Sequence, residues 1–345
     1  MSELADIARA MVAPGKGVLA ADESDGTIKK RFDTIGVEST YENRRDYRQL
    51  LFTTDGAEEF ISGVILFDET ARQKTDDGQP LLHILESKGI LPGIKVDKGA
   101  KPLAGAPGEK VTEGLDGLRP RLEEYRAMGC RFAKWRAVIV IDTANGQPSD
   151  YAARANAHAL ARYAALCVEQ GLVPIVEPEV LMDGNHTIDD CFAATELALK
   201  RLYEELYDQR VPLEQTILKP NMVLSGSECV RQAGVDEVAA ATIRCFRRAV
   251  PAAVPGIVFL SGGQTEEEAT VHLNAINRRA GSPVSRDDAP WQFSFSYGRA
   301  LQASALQAWL GKAENVASAQ QAFLKRARLN GAARRGEYTA AMEAA

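Results

Sequence analysis

The chain has 345 residues, of which 45% are hydrophobic, and its formal net charge is −6. The length suits one large domain or two ordinary ones, and the apolar share is sufficient for a sizeable core. The negative charge argues against broad binding to nucleic acid, so we expect no nucleic-acid partner. No apolar run reaches the roughly 18 residues of a membrane span, and the N-terminus does not resemble a secretory signal, so we expect no membrane partner.

Cysteine usage bears on the cellular compartment. The chain has five cysteines, which are scattered and never form a Cys-x-x-Cys pair. An odd, unpaired set predicts reduced thiols in a cytoplasmic protein, without a disulfide framework or a zinc site.

Helical patterns and short apolar runs alternate along the chain. Helices are predicted at residues 3–13, 44–60, 80–87, 118–128, 151–170, 189–206 and 235–248, with another opening at Glu266 and two more closing the chain. Strands are predicted at residues 17–22, 62–68, 93–97, 131–138, 173–180, 216–223, 256–263 and 291–298. A loop rich in glycine, proline and lysine follows the third strand at 99–108.

Eight strands separated by helices are typical of a (β/α)8 TIM barrel in the α/β class. The alternative is a doubly wound open sheet, which usually carries Gly-x-Gly-x-x-Gly after its first strand, and that motif is absent here. No linker divides the chain. We therefore predict one barrel domain over residues 1–345, with a short C-terminal tail from about residue 331.

Lys219 stands in the apolar run Thr216-Ile217-Leu218-Lys219-Pro220. A buried ammonium is costly to desolvate, and loss of its proton gives an amine that attacks carbonyl carbon and forms a Schiff base. Pro220 interrupts the hydrogen-bonded ladder, so Lys219 is expected near the C-terminal end of its strand. A lone lysine in this position would more often simply reach solvent.

Other predicted strands also carry charged residues where apolar residues would be expected. This recurrence favours a functional role for Lys219 over the alternative that its ammonium simply reaches solvent. Residues two apart on a strand share a face, and charged pairs fit best at the C-terminal mouth where barrel enzymes hold their sites. One such pair alone could be a structural ion pair. The recurring charges are Asp22, Lys95 with Asp97, Lys134 with Arg136, and Glu177 with Glu179.

The residue types suggest a chemistry. Lys134 and Arg136 are cations that would favour the neutral amine of Lys219. Glu177 and Asp22 can move protons during imine formation and carbon–carbon cleavage.

The sequence suggests two anion-binding sites. Ser261-Gly262-Gly263 ends the seventh strand before a helix, and Ser296-Tyr297-Gly298-Arg299 ends the eighth, which is the usual phosphate side of a barrel. A second anion could be held just after Asp22, although the residues by themselves favour an ordinary solvated basic turn. Its residues are Ser24, Thr27, Lys30 and Arg31.

Motifs spread over nearly the whole chain resemble class I fructose-bisphosphate aldolases. They are APGKGVLAADES at 13–24, ENRRDYRQLLFT at 42–53, GIKVDKG at 93–99, KWRAV at 134–138, PIVEPEVL at 174–181, LKPNMV at 218–223, FLSGGQTEEEAT at 259–270 and FSYGRALQASALQAW at 295–309. The resemblance implies reversible cleavage of fructose 1,6-bisphosphate to dihydroxyacetone phosphate and glyceraldehyde 3-phosphate. It also implies a lysine Schiff base with no metal or other cofactor, and a homotetramer.

The resemblance also implies roles for individual residues. Lys219 would be the Schiff-base lysine and Glu177 the principal acid/base, with Asp22 and Lys134 assisting and Glu179 and Arg136 orienting charge. The phosphate near the ketone would bind Ser261, Gly262, Gly298 and Arg299. The distal phosphate would bind Ser24, Thr27, Arg31 and Lys95, with Arg44 at a further position linked to substrate.

The chain departs from the animal enzymes in two places. The run at 282–288 is longer here, and the animal enzymes' longer tail with its terminal tyrosine is missing, so Tyr338 is expected to be a packing or surface residue. Two alternatives remain open. One is a Schiff-base aldolase preferring a seven-carbon bisphosphate or a monophosphate, and the other is a scaffold that kept the fold without activity.

Overall fold

A computed structural model describes residues 2–281 and 289–344. Eight parallel strands close into a barrel in the order β1-β2-β3-β6-β7-β8-β9-β10, and β4 pairs with β5 in a separate antiparallel hairpin. The predicted (β/α)8 TIM barrel is therefore confirmed. The strands are β1 Gly17–Ala21, β2 Ile61–Leu66, β3 Leu91–Lys95, β4 Ala100–Pro102, β5 Lys110–Thr112, β6 Phe132–Ile139, β7 Val173–Val180, β8 Ile217–Leu218, β9 Gly256–Phe259 and β10 Gln292–Tyr297.

Helices surround the barrel, and several begin at a serine or threonine whose side chain accepts a backbone N–H of the first turn, as at Ser149, Thr187 and Thr265. The helices are α1 Glu3–Met11, α2 Asp25–Asp33, α3 Tyr41–Phe52, α4 Asp68–Arg72, α5 Leu81–Ser87, α6 Leu118–Ala127, α7 Asp150–Glu169, α8 Ile188–Asp208, α9 Val235–Ala249, α10 Glu266–Ala280, α11 Arg299–Trp309 and α12 Val316–Arg334.

The barrel interior is filled by matching large residues to small ones. A Cβ atom at Gly93 would lie 2.2 Å from the Phe132 ring, and one at Gly63 would lie 2.9 Å from it. Phe132 therefore occupies space that two glycines on neighbouring strands leave empty. Met11 and Val12, at the end of α1, join the same interior cluster. The interior is a packed core, which confines open space to the C-terminal mouth.

The structure differs from the predicted elements in several places. The predicted loop at 99–108 contributes β4 to a hairpin, α2 lies where no helix was predicted, and the helix predicted over 44–60 ends at Phe52. Gly56, with φ +80°, follows that end and precedes a short 3-10 turn. Only Ile28 and Phe32 are buried in α2, so the helix is too short and too polar to give a clear periodic pattern.

The C-terminal segment continues as helix beyond residue 331, where the tail was predicted to begin. Helix α12 ends at Arg334, and a 3-10 turn follows at Ala340–Glu343. Tyr338 is 5% exposed, which agrees with its prediction as a packing residue. The longer run at 282–288 lies outside the described residues. Within those residues, no helix is both long and apolar enough to cross a membrane.

Candidate active site

A cavity of about 680 Å³ opens at the C-terminal ends of the barrel strands. The predicted site residues meet there, with the exception of Arg44. They are Asp22, Ser24, Thr27, Arg31, Lys95, Lys134, Arg136, Glu177, Glu179, Lys219, Ser261, Gly262, Gly298 and Arg299.

Lys219 directly follows β8, and its side chain is buried. Its backbone N–H still donates to the Val176 carbonyl of β7 at 2.9 Å, although Pro220 has no N–H to continue the ladder. The Lys219 amine is therefore held at the top of the barrel by backbone pairing, at the strand end predicted from Pro220.

Three buried charged groups and the largely buried Asp22 form a continuous series of ion pairs across the floor of the cavity. Lys219 Nζ lies 3.2 Å from Glu177 Oε1, and Lys134 Nζ lies 3.2 Å from Glu177 Oε2. Lys134 Nζ also lies 2.7 Å from Asp22 Oδ2. Glu177 thus bridges the two lysines, and the formal charges of the four groups sum to zero.

Burial and neighbouring charges shift the pKa values of these ion-paired groups in opposite directions. Burial would raise the pKa of Asp22, but the ammonium groups of Lys134 and Lys219 outweigh it and hold that pKa below its ordinary value. Burial would lower the pKa of Lys134, but Asp22 and Glu177 outweigh it and raise that pKa above its ordinary value. Asp22 and Lys134 consequently form a stable ion pair near neutral pH.

Two further ion pairs lie on the cavity wall. Arg136 pairs with Glu179, and Lys95 Nζ lies 2.6 Å from Asp97 Oδ1. Asp97 also accepts the backbone N–H groups of Gly99 at 3.1 Å and Arg136 at 3.3 Å. These contacts fix the position of the Lys95 ammonium relative to β6.

A glycine loop and an arginine form the opposite wall. Gly262 has φ +55°, and its carbonyl accepts Arg299 Nη2 at 2.8 Å. A Cβ atom at Gly298 would lie 3.3 Å from both the Ala20 carbonyl oxygen and Arg31 Nη2. Glycine at 298 therefore lets the start of α11 approach β1 and the guanidinium of Arg31.

Ser24, Thr27 and Arg31 lie at the start of α2 or on it, and Ser24 Oγ is 3.2 Å from Thr27 Oγ1. Arg31 pairs with the buried carboxylate of Glu23. Glu23 also accepts Arg48 Nη2 at 2.5 Å.

Sequence reasoning missed Glu23 and Arg48, which hold Arg31 in place. Glu23 is an acid that directly follows Asp22, and no spacing relates it to Arg48, so only the folded chain reveals the pairing.

The exception is Arg44, which does not line the cavity. Its guanidinium donates to both carboxylate oxygens of Glu69, at 2.7 and 2.6 Å, and to the Ser39 carbonyl at 2.7 Å. These partners hold the side chain outside the wall that the other predicted residues form.

The described residues, 2–281 and 289–344, contain no cluster of three or more histidine, cysteine, aspartate or glutamate side chains that could hold a metal ion. The arrangement offers a buried amine, a carboxylate that can exchange its proton, and cationic or backbone donors on two sides. Such a cavity can form an imine with a carbonyl compound that carries anionic groups.

Comparison with known proteins agrees with this chemistry. The sequence model of the family described as "Fructose-bisphosphate aldolase class-I" matches residues 3–345. The chain is 57% identical over 339 residues to a probable fructose-bisphosphate aldolase class 1 of Xanthomonas campestris, covering 98% of this chain and 99% of the relative. It is 55% identical over 325 residues to fructose-bisphosphate aldolase 4, cytosolic, of Arabidopsis thaliana, covering 94% of this chain and 81% of that relative.

A solved structure is also similar. It is the fructose-bisphosphate aldolase of Plasmodium falciparum in complex with TRAP and a small-molecule inhibitor, with a TM-score of 0.94 and 52% sequence identity. The match covers 98% of this chain and 95% of that chain.

Proposed function

The chain belongs to the class I fructose-bisphosphate aldolase family, and on that premise we propose that Lys219 is the residue that forms the Schiff base with the ketose. Class I aldolases are metal-independent lyases that work through a lysine imine. The observation that carries the assignment is the buried Lys219 amine, 3.2 Å from Glu177 in the cavity at the barrel mouth.

Glu177 is proposed as the principal acid/base because it is the carboxylate shared between the two lysines. The Asp22–Lys134 pair is stabilised in its charged form, and we assign the mobile proton to Lys219 and Glu177, whose Nζ and Oε1 atoms lie 3.2 Å apart. Moving that proton from the Lys219 ammonium to Glu177 changes no net charge in the buried chain. It leaves a neutral amine as nucleophile and a neutral acid as proton donor.

The reaction follows from this starting state. The amine of Lys219 attacks the ketone carbon, and Glu177 supplies the proton with which water leaves, giving an iminium ion. A base then removes the proton of the hydroxyl on carbon four, the bond between carbons three and four breaks, and its electrons enter the iminium as an enamine. The aldehyde phosphate departs, and the enamine is protonated and hydrolysed to dihydroxyacetone phosphate.

The two walls of the cavity are proposed to bind the two phosphates. Ser261, Gly262, Gly298 and Arg299 would hold the phosphate near the ketone, where backbone N–H groups and a guanidinium converge. Ser24, Thr27, Arg31 and Lys95 would hold the distal phosphate. The ion pair of Arg136 and Glu179 would orient the charges beside Glu177. Arg44 is placed by the resemblance alone, and its guanidinium is paired with Glu69 outside this cavity.

The resemblance also leads us to propose one functional domain over residues 1–345, a homotetramer and a cytoplasmic location. Support for the location comes from the five free cysteines and from the Arabidopsis relative, which is named cytosolic. The tetramer is testable by sedimentation equilibrium on the purified protein.

The proposed role of Lys219 is tested by borohydride reduction in the presence of dihydroxyacetone phosphate, followed by peptide mapping. The wild type should be inactivated irreversibly and should carry the three-carbon adduct on Lys219. Lys219→Ala should show neither turnover nor adduct, while Lys312→Ala, an exposed control, should behave as the wild type. An adduct on a different lysine would refute the assignment.

A further inference from the structure

Met182 lies in the loop between β7 and α8, directly behind the glycine loop proposed to bind phosphate. Its carbonyl accepts the Ser227 N–H at 2.7 Å, and the Gly184 carbonyl accepts the Glu228 N–H at 2.8 Å. These bonds join the loop after β7 to the loop after β8. The backbone of Met182 is therefore fixed by the fold.

The thioether supports the glycine loop from the side away from the main cavity. Met182 Sδ accepts the Gly263 N–H at 2.9 Å, and a Cβ atom at Gly263 would lie 2.7 Å from the same sulfur. Ser261 and Gly262 lie between this sulfur and the substrate cavity, since they line both that cavity and a small one that Met182 also lines. No space remains for an additional atom between Sδ and Gly263.

Met182 is more accessible than the methionines buried in the core. It is half-buried, whereas Met222 and Met11 are 1% and 0% exposed. A thioether is a weak hydrogen-bond acceptor, but its sulfoxide is polar and carries an oxygen that accepts strongly. An oxygen added on the side of the sulfur that accepts the Gly263 N–H would displace the glycine loop or capture that N–H.

We propose that Met182 is an oxidation-sensitive modification site that controls phosphate binding through the Ser261–Gly263 loop. In the step, the Met182 sulfur donates two electrons to one oxygen of hydrogen peroxide, the O–O bond breaks and an S–O bond forms. The second oxygen leaves as water after taking the proton of the transferred hydroxyl. The inference rests on the proposed phosphate role of Ser261 and Gly262.

The test uses the folded full-length enzyme treated with hydrogen peroxide and then with dithiothreitol, so that reversible cysteine oxidation is removed. Mass spectrometry locates sulfoxides, and steady-state kinetics with fructose 1,6-bisphosphate separates KM from kcat. Oxidation of Met182 should raise KM by about tenfold, equivalent to roughly 1.4 kcal/mol, with a smaller change in kcat. A methionine sulfoxide reductase should restore the original KM.

Two variants provide the comparison. Met128→Leu removes another half-buried methionine, at the end of α6, and should respond to peroxide as the wild type does. Met182→Leu should keep its own untreated KM after peroxide. The proposal is overturned if Met182→Leu responds like the wild type, if Met182 sulfoxide forms with KM unchanged, or if Met128 oxidises and Met182 does not.

The proposed phosphate site is checked in parallel with Arg299→Ala. A raised KM in that variant together with no effect of Met182 oxidation would reject only the role of Met182. An unchanged KM in Arg299→Ala would instead reject the phosphate site on which the inference rests.

Discussion

Glu177 touches both buried lysines, and in the proposed mechanism its ability to take a proton determines whether Lys219 becomes a nucleophile. An amide of the same shape cannot accept that proton. Replacing Glu177 by glutamine also removes the carboxylate shared by Lys134 and Lys219. Asp22, which pairs with Lys134, is then the carboxylate that remains in this series of ion pairs. At the scale of the residue, the proposed mechanism therefore depends on proton exchange between two groups 3.2 Å apart.

Glu177→Gln is expected to lower kcat by about 10²–10⁴-fold, the usual contribution of a general acid/base. The rate of borohydride trapping with dihydroxyacetone phosphate should fall in parallel, because imine formation needs the same proton transfer. Glu314→Gln, at an exposed position, is the matched control. Turnover of Glu177→Gln within threefold of the wild type would contradict the role.

Asp22→Asn is expected to destabilise the fold by roughly 2–4 kcal/mol, since Lys134 loses one partner of a buried ion pair and keeps Glu177. The native pKa of Asp22 lies below its ordinary value, so its stabilising effect is fully present above about pH 4 and is lost as the pH falls further. Urea unfolding should therefore give the same stability difference between wild type and variant from pH 8 to pH 5. A difference that disappears between pH 8 and pH 6 would contradict this ionisation scheme.

Arg299→Ala should raise KM for fructose 1,6-bisphosphate by roughly 10-fold or more, because charge-assisted hydrogen bonds contribute about 1.5–3 kcal/mol. Steady-state kinetics at low salt measures the effect. Arg231→Ala, whose side chain is 71% exposed, removes the same charge from the surface as a control. If both variants retained the wild-type KM, the phosphate would have to bind elsewhere.

At the scale of the element, β8 shows where sequence patterns are informative and where they are not. The apolar run predicted a strand over 216–223, but β8 contains only Ile217 and Leu218. Pro220 has no N–H to donate, and beyond it the Val180 N–H of β7 donates to the Asn221 side-chain oxygen at 3.1 Å instead of to a backbone carbonyl. The end of the strand was predictable from Pro220, whereas the side-chain replacement depends on a partner 41 residues away.

Asn221→Ala should destabilise the protein by about 1–3 kcal/mol, because the buried Val180 N–H and Thr195 Oγ1 both lose a partner. Urea unfolding monitored by circular dichroism measures the change. Asn145→Ala, at an exposed turn, should shift the midpoint much less. Equal effects of the two variants would show that the amide of Asn221 does not complete the barrel ladder.

At the scale of the whole molecule, parallel strands place every strand's C-terminal end at one mouth, which is why scattered charges such as Asp22, Lys134 and Lys219 could be predicted to meet. The contacts that hold these charged groups in place were harder to predict from the sequence. Glu23 pairs with Arg31 on α2 and Arg48 on α3, and no local pattern indicates either contact. The pair of Lys95 with Asp97 was predictable from spacing, but the contact of Asp97 with the Arg136 N–H on β6 was not. Sequence thus identified the charged groups that line the site more readily than the contacts that hold them.

The C-terminal segment is docked on the rest of the molecule. The Tyr338 N–H donates to Asn274 at 3.0 Å, and its hydroxyl donates to Glu343 at 2.9 Å. Glu343 accepts two further hydrogen bonds, at 2.9 and 2.6 Å, from the buried guanidinium of Arg326. Tyr338 is therefore tied to α10 and to the closing turn, which supports a structural role for it.

Glu343→Ala tests that role because it leaves the Arg326 guanidinium buried without its closest carboxylate. We expect a loss of roughly 1–3 kcal/mol, less than for a fully buried pair because the Glu343 side chain is 23% exposed. Turnover per folded molecule should fall less than about tenfold, a barrier change of roughly 1.4 kcal/mol. Glu337→Ala, which breaks the surface pair with Arg335, should cost at most about 1 kcal/mol. A much larger loss of turnover in Glu343→Ala, with slowed proton exchange on dihydroxyacetone phosphate and normal stability, would instead make the tail part of the catalytic machinery.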